Sequence, residues 1–82
     1  MNAVTVPLAQ PTARLVAVTV TRPMRRERRQ LARLRGSDRE RALGALAIVT
    51  GLTRAELDTL AEPDLERVAQ ALASFAPAPG AR

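Results

Sequence analysis

The sequence predicts an α+β domain, in which a short N-terminal β-hairpin packs against a small bundle of three to four helices. Apolar and polar residues alternate as far as Val20, and after Pro23 the apolar residues follow helical spacing. The composition agrees, because 46% hydrophobic and 26% charged residues is the balance of a globular chain. We expect a single domain over residues 1–76, followed by a flexible tail of Pro, Ala and Gly over residues 77–82.

The hairpin is predicted from two alternating segments on either side of the turn-like segment 9–12. One face of both strands carries the apolar residues Val4, Val6, Leu8, Val16, Val18 and Val20. Pro7 cannot donate a ladder hydrogen bond, so the first strand is predicted to be short or at an edge. Because a two-stranded sheet alone is marginal in water, helices are expected to cover one of its faces.

The first helix is predicted from Met24 to Arg35, because Pro23 suits a helix start and Gly36 a helix end. At 100° per residue, Met24, Leu31 and Leu34 form one apolar stripe. The opposite side, which we call the arginine face, carries Arg25, Arg26, Arg29 and Arg33. This face is either a solvated surface or a site for an acidic or phosphate-bearing partner.

Two capping boxes predict the next helices. Ser37 with Glu40 starts a second helix that ends at Gly51, and Thr53 with Glu56 starts a short third helix. Pro63 then begins a fourth helix with Asp64 in its first turn, where an acid complements the helix dipole. The apolar positions of the last two helices are Leu57, Leu60, Leu65, Val68, Ala69, Leu72 and Phe75.

The chain lacks the residues on which most catalysis depends. It has no Cys and no His, which excludes thiol nucleophiles, imidazole bases and the usual zinc ligands. We therefore predict a protein that is not an enzyme and uses no cofactor or metal. The N-terminal residues lack the pattern of a signal peptide, and no apolar run reaches about 18 residues, so the sequence predicts a cytoplasmic location without membrane contact.

The charge of +5 raises the alternative of a small basic DNA-binding or regulatory protein. Ten Arg and three acids in residues 1–50 give +7, whereas three Arg and five acids in residues 51–82 give −2. The segment from Leu43 to Leu60 resembles a helix-turn-helix, but its second helix is acidic and DNA would repel it. Phe75 is the only aromatic residue, which argues against single-strand stacking. Nucleic acid is therefore the less favoured partner.

Several motifs resemble, in order, those of the phage tail assembly chaperones, the short E-type proteins of Mu-like, mostly contractile-tailed phages. These are Val18-Thr19-Val20-Thr21-Arg22-Pro23-Met24, Arg41-Ala42-Leu43, Thr50-Gly51-Leu52-Thr53-Arg54-Ala55-Glu56-Leu57-Asp58-Thr59-Leu60, Asp64-Leu65 and Leu72-Ala73-Ser74-Phe75. The resemblance implies a chaperone that binds the tape measure protein, helps recruit tail tube subunits, and is absent from the finished tail.

Leu57 and Leu60 are predicted to line a groove that binds a partner. Together with whatever of Leu65, Val68 and Leu72 the small core leaves uncovered, they could hold an amphipathic helix of a long helical partner. Ordinary core packing is the other interpretation of the same two residues. The sequence also leaves a homo-oligomer open.

Overall fold

The computed structural model describes residues 2–75 and shows the predicted α+β architecture, with a two-stranded hairpin followed by four helices in this part of the chain. The elements are β1 Ala3–Pro7, β2 Ala17–Thr21, α1 Arg25–Ala32, α2 Asp38–Thr50, α3 Arg54–Asp58 and α4 Glu62–Ala73. The predicted tail over residues 77–82 lies outside the described residues. Within residues 2–75, no helix has the length and apolar character needed to cross a membrane.

The two strands pair antiparallel, with Val4 opposite Val20 and Val6 opposite Val18. The Leu8 amide donates to the Val16 carbonyl at 3.0 Å, which makes the even-numbered residues of β1 the hydrogen-bonded pairs of the ladder. Pro7 therefore occupies a position whose backbone faces the outer edge, where its missing N–H costs no ladder bond. This explains how a proline is accommodated in a strand.

The core lies between the inner face of the hairpin and the helices α2 and α4. β2 packs against both of these helices, and the Thr21 hydroxyl donates to the Val49 carbonyl near the end of α2 at 2.9 Å. The buried apolar residues form one cluster: Val6, Leu8, Val18, Val20, Leu43, Leu46, Val49, Leu57, Leu60, Leu65, Val68 and Ala71. The hairpin thus gains the helical cover that a two-stranded sheet needs.

The predicted inward position of Val16 is wrong, because its side chain is 73% exposed. The Thr12 amide donates to the Leu15 carbonyl at 2.9 Å, and the Leu15 amide donates to the Thr12 hydroxyl at 3.0 Å. These bonds close a tight turn before β2 begins at Ala17. In this turn Leu15, rather than Val16, packs against the core.

The capping boxes are confirmed in atomic detail. The Glu40 amide donates to the Ser37 hydroxyl at 3.1 Å, and the Ser37 amide donates to the Glu40 carboxylate at 2.9 Å. Thr53 and Glu56 exchange the same two bonds at the start of α3. Gly51 ends α2 in the left-handed conformation with φ of 74°, as expected of a glycine at this position.

Helix α1 is shorter than predicted and lies at the side of the domain. It begins at Arg25 and ends at Ala32, because the chain up to Leu34 tightens into three-residue turns. None of its residues is buried, and it packs mainly on α2. Leu34 approaches Gly44 so closely that a Cβ at residue 44 would lie 2.9 Å from the Leu34 Cδ2 atom.

Candidate partner-binding groove

Leu57 and Leu60 do not form a partner groove in the structure, which corrects that prediction. Leu57 is fully buried and Leu60 is 7% exposed, and both belong to the core. The reason is that α3 is a five-residue connection between α2 and α4, so its apolar side completes the core. Neither side chain presents a surface that a partner could contact in this conformation.

The four residues of the arginine face are brought together as predicted. Arg25, Arg26, Arg29 and Arg33 are all exposed and line one shallow depression together with Gln30. Within residues 2–75, none of these four guanidinium groups forms an ion pair. The positive charge on this side of α1 is therefore not compensated by neighbouring carboxylates.

A separate apolar groove of about 650 Å³ lies where α1, α2 and the end of α4 meet. Its apolar lining consists of Pro23, Met24, Leu31, Ala45, Leu72, Ala73 and Phe75. The groove remains open because α1 packs mainly on α2 and leaves its apolar stripe only partly covered. Met24, the first residue of that stripe, is 62% exposed.

Two arginines outside the arginine face border this groove. The Arg22 guanidinium lies over the Phe75 ring, 5.3 Å from its centroid, at a distance typical of a cation–π contact. Arg28 lies on α1 between Met24 and Leu31 in sequence and is exposed. The groove therefore combines an apolar lining with two cationic groups at its border. The apolar residues of the groove can be identified in the sequence. The sequence does not show, however, that Phe75 lies near the start of α1.

Asp64 is the one charged residue buried within the described part of the chain, with 1% exposure. Its carboxylate accepts hydrogen bonds from the amides of Ala9 at 2.9 Å and Gln10 at 3.0 Å, and from the Arg67 guanidinium at 3.1 Å. The amides of Gln10 and Ala9, followed by the charge of Arg67, hold the pKa of Asp64 below its ordinary value.

The Asp64 carboxylate fixes the hairpin loop to α4, and Arg67 adds a second link by donating to the Pro7 carbonyl. Because protein groups occupy it from several sides, this carboxylate has a structural role rather than a ligand-binding one. From the local sequence alone, Asp64 is expected to complement the helix dipole and no more. An acid in a first turn is ordinary, and nothing local indicates the loop that it holds.

Comparison with protein-family models, with curated proteins and with solved structures finds no match to this chain. The groove, the arginine face and the order of the sequence motifs are therefore the observations that bear on function.

Proposed function

We propose that this chain is a non-enzymatic tail assembly chaperone that acts in the host cytoplasm. It holds a helical segment of the tape measure protein in the groove and helps recruit tail tube subunits around it. The observation that carries this proposal is the open apolar groove between α1 and α4, with Met24 exposed at its border. The order of motifs that resembles the tail assembly chaperones supports the identity of the partner.

An amphipathic helix suits this groove. Such a helix binds by inserting apolar side chains from one face into a hydrophobic cleft formed by a partner. Met24 favours this use further, because a flexible thioether adapts to different apolar surfaces.

The residues that would contact a partner helix are already partly ordered. Leu31 on α1, Leu72 on α4 and Phe75 just after α4 are half-buried, so binding orders few additional side chains. Covering the remaining exposed area of each contributes roughly 1 kcal/mol. A short interface of this kind is consistent with an affinity on the order of micromolar for one helical segment. A weak, reversible contact suits a protein that must leave before the tail is finished.

Binding to DNA is the second candidate function, and the uncompensated arginine face is the observation that favours it. The helix-turn-helix interpretation loses support, because α3 spans only Arg54–Asp58 and Leu57 is part of the core. What remains is nonspecific contact between the arginine face and phosphates. A gel-shift series with duplex DNA tests this, because phosphate contacts weaken steeply as salt is raised.

The proposal is tested with two variants that place a carboxylate at an exposed apolar position. Met24→Asp introduces the charge at the groove, and Val16→Asp introduces the same charge at a distant site of similar exposure. Calorimetry with the tape measure protein should show at least about tenfold weaker binding for Met24→Asp and wild-type binding for Val16→Asp. Wild-type affinity in Met24→Asp, or no binding by the wild type, would overturn the proposal.

The chaperone role has a second test in purified phage particles. A chaperone is present in the infected cell and absent from the finished tail, whereas a structural subunit stays in the particle. Detection of stoichiometric amounts of this chain in purified tails would exclude the chaperone role.

A further inference from the structure

We infer that the helix bound in the groove is acidic, with Glu or Asp residues flanking its apolar face and pairing with Arg22 and Arg28. This inference rests on the proposed function and specifies the chemistry of the partner segment. It follows from the charge, the geometry and the composition of the groove.

The charged residues that line the groove, Arg22 and Arg28, are both cationic. Residues 22–35 contain seven Arg and one acid, Glu27. The Glu27 carboxylate is already engaged, because it accepts a hydrogen bond from the Met24 amide at 2.9 Å. Within residues 2–75, neither Arg22 nor Arg28 forms an ion pair. A partner therefore meets a positive potential that the domain itself does not neutralise.

The two arginines belong to different segments that line the groove. Arg28 belongs to α1, whereas Arg22 is held over the ring of Phe75, just beyond the end of α4. A helix lying between α1 and α4 would meet one guanidinium on each of its two flanks. Contact with the ring restricts the Arg22 side chain in advance, which lowers the entropy cost of pairing it with a carboxylate.

The groove's apolar lining favours a helix over the other occupants that positive charge could attract. A nucleic acid backbone offers phosphates but no apolar face to fill a cleft lined by Leu31, Leu72 and Phe75. A second folded copy of residues 2–75 offers exposed acids on α4, but the apolar side of that helix is buried in its own core. An amphipathic helix with acidic flanks satisfies both the lining and the charge.

The test uses two synthetic peptides of about 18 residues, or about five helical turns, with blocked ends. Both carry Leu at positions i, i+4, i+7 and i+11. One has Glu at the flanking positions, and the other has Gln, which keeps the shape and removes the charge. Binding is measured by fluorescence anisotropy at about 50 mM and about 500 mM salt, where the Debye lengths are about 14 Å and about 4 Å.

We expect the wild-type protein to bind the Glu peptide about three- to tenfold more tightly than the Gln peptide at low salt. High salt should remove most of this preference. The double variant Arg22→Gln, Arg28→Gln should also lose the preference. The matched control Arg26→Gln, Arg33→Gln changes the net charge equally on the arginine face and should retain most of it.

The outcomes separate this inference from the proposed function. Equal affinity for both peptides overturns the acidic-partner inference and leaves the helix-binding groove in place. No binding of either peptide shows that the groove does not hold a helix. Equal loss of preference in the two double variants means that overall charge is responsible, which also overturns the inference. Arg22 contacts Phe75, so its replacement also affects the groove lining. The single variant Arg28→Gln avoids this, and it should change the binding free energy difference between the two peptides by about half as much as the double variant.

Discussion

Replacing Leu57 by Ala tests whether this residue stabilises the core or contributes to partner binding. The side chain of Leu57 is fully buried, although the sequence also allowed it a place on a binding surface. Because Leu57 lies in the core and not in the groove lining, the substitution lowers stability and leaves that lining unchanged. A substitution in that lining should cost less stability and weaken partner binding, so the two positions can be compared directly.

The expected loss follows from complete burial. Removing most of a fully buried leucine side chain costs about 3 to 5 kcal/mol, depending on how far the cavity collapses. A domain of 82 residues has a total stability of about 4 to 12 kcal/mol. Leu57→Ala therefore removes a large part of the free energy of unfolding. Leu57→Asp would in addition bury an unpaired charge, and we expect it not to fold.

Urea unfolding followed by far-UV circular dichroism measures this loss. With a slope of about 1 kcal/mol per M for a small domain, the midpoint should fall by about 3 M or more. Leu72→Ala is the matched variant, since Leu72 lines the groove and is half-buried. Its stability should fall by about 1 to 2 kcal/mol, while its affinity for a helical partner drops.

A change of less than about 1 kcal/mol in Leu57→Ala would contradict the position of α3 in the core. Loss of partner binding in folded Leu57→Ala, with normal binding in Leu72→Ala, would restore the interpretation in which Leu57 contacts the partner. Binding is therefore measured at low temperature without urea, where the remaining folded fraction is determined independently by circular dichroism.

The lowered pKa of Asp64 makes its stabilisation complete above the ordinary aspartate pKa of about 3.9, and this stabilisation declines as the pH falls through the lower pKa of the folded state. Asp64→Asn should lower stability at pH 7 and flatten the acid side of a pH–stability curve; an unchanged acid side would contradict the loop contact. Gly51→Ala should cost about 1 kcal/mol from backbone strain alone, because a Cβ there meets no atom within 4 Å. Gly51→Asn should cost less stability than Gly51→Ala. Equal urea midpoints for these two variants would show that backbone strain is not responsible. Ser37→Ala and Thr53→Ala should each lower stability by about 1 kcal/mol, and the double variant should be nearly additive because the two caps start different helices.

The features that the sequence predicts correctly depend on neighbours along the chain. The capping boxes at Ser37 and Thr53 and the glycine at residue 51 each involve residues within one turn, so their chemistry can be recognised without a structure. The alternation of Val18 and Val20 likewise places both in the core. The fold class follows from such local patterns, because each constrains its own segment independently.

The candidate site depends on distant parts of the chain and could be predicted only in part. The arginine face follows from the period of one helix, and the structure brings its four members together. The groove forms only where Met24 and Phe75 line the same cleft. Their positions depend on how α1 packs on α2 and on where α4 ends. Leu57 illustrates the same limit, because apolar spacing predicts an apolar side of a helix without showing what that side contacts.

The bond between Asp64 and the loop at Ala9 has a consequence for how the protein is made. The two residues are separated by 55 positions, so the ribosome synthesises the hairpin well before the carboxylate that holds it. An isolated hairpin is marginally stable, and its apolar face stays uncovered until α2 and α4 have emerged. We expect nascent chains that stop before α4 to remain unfolded, and the complete domain to fold in one cooperative step.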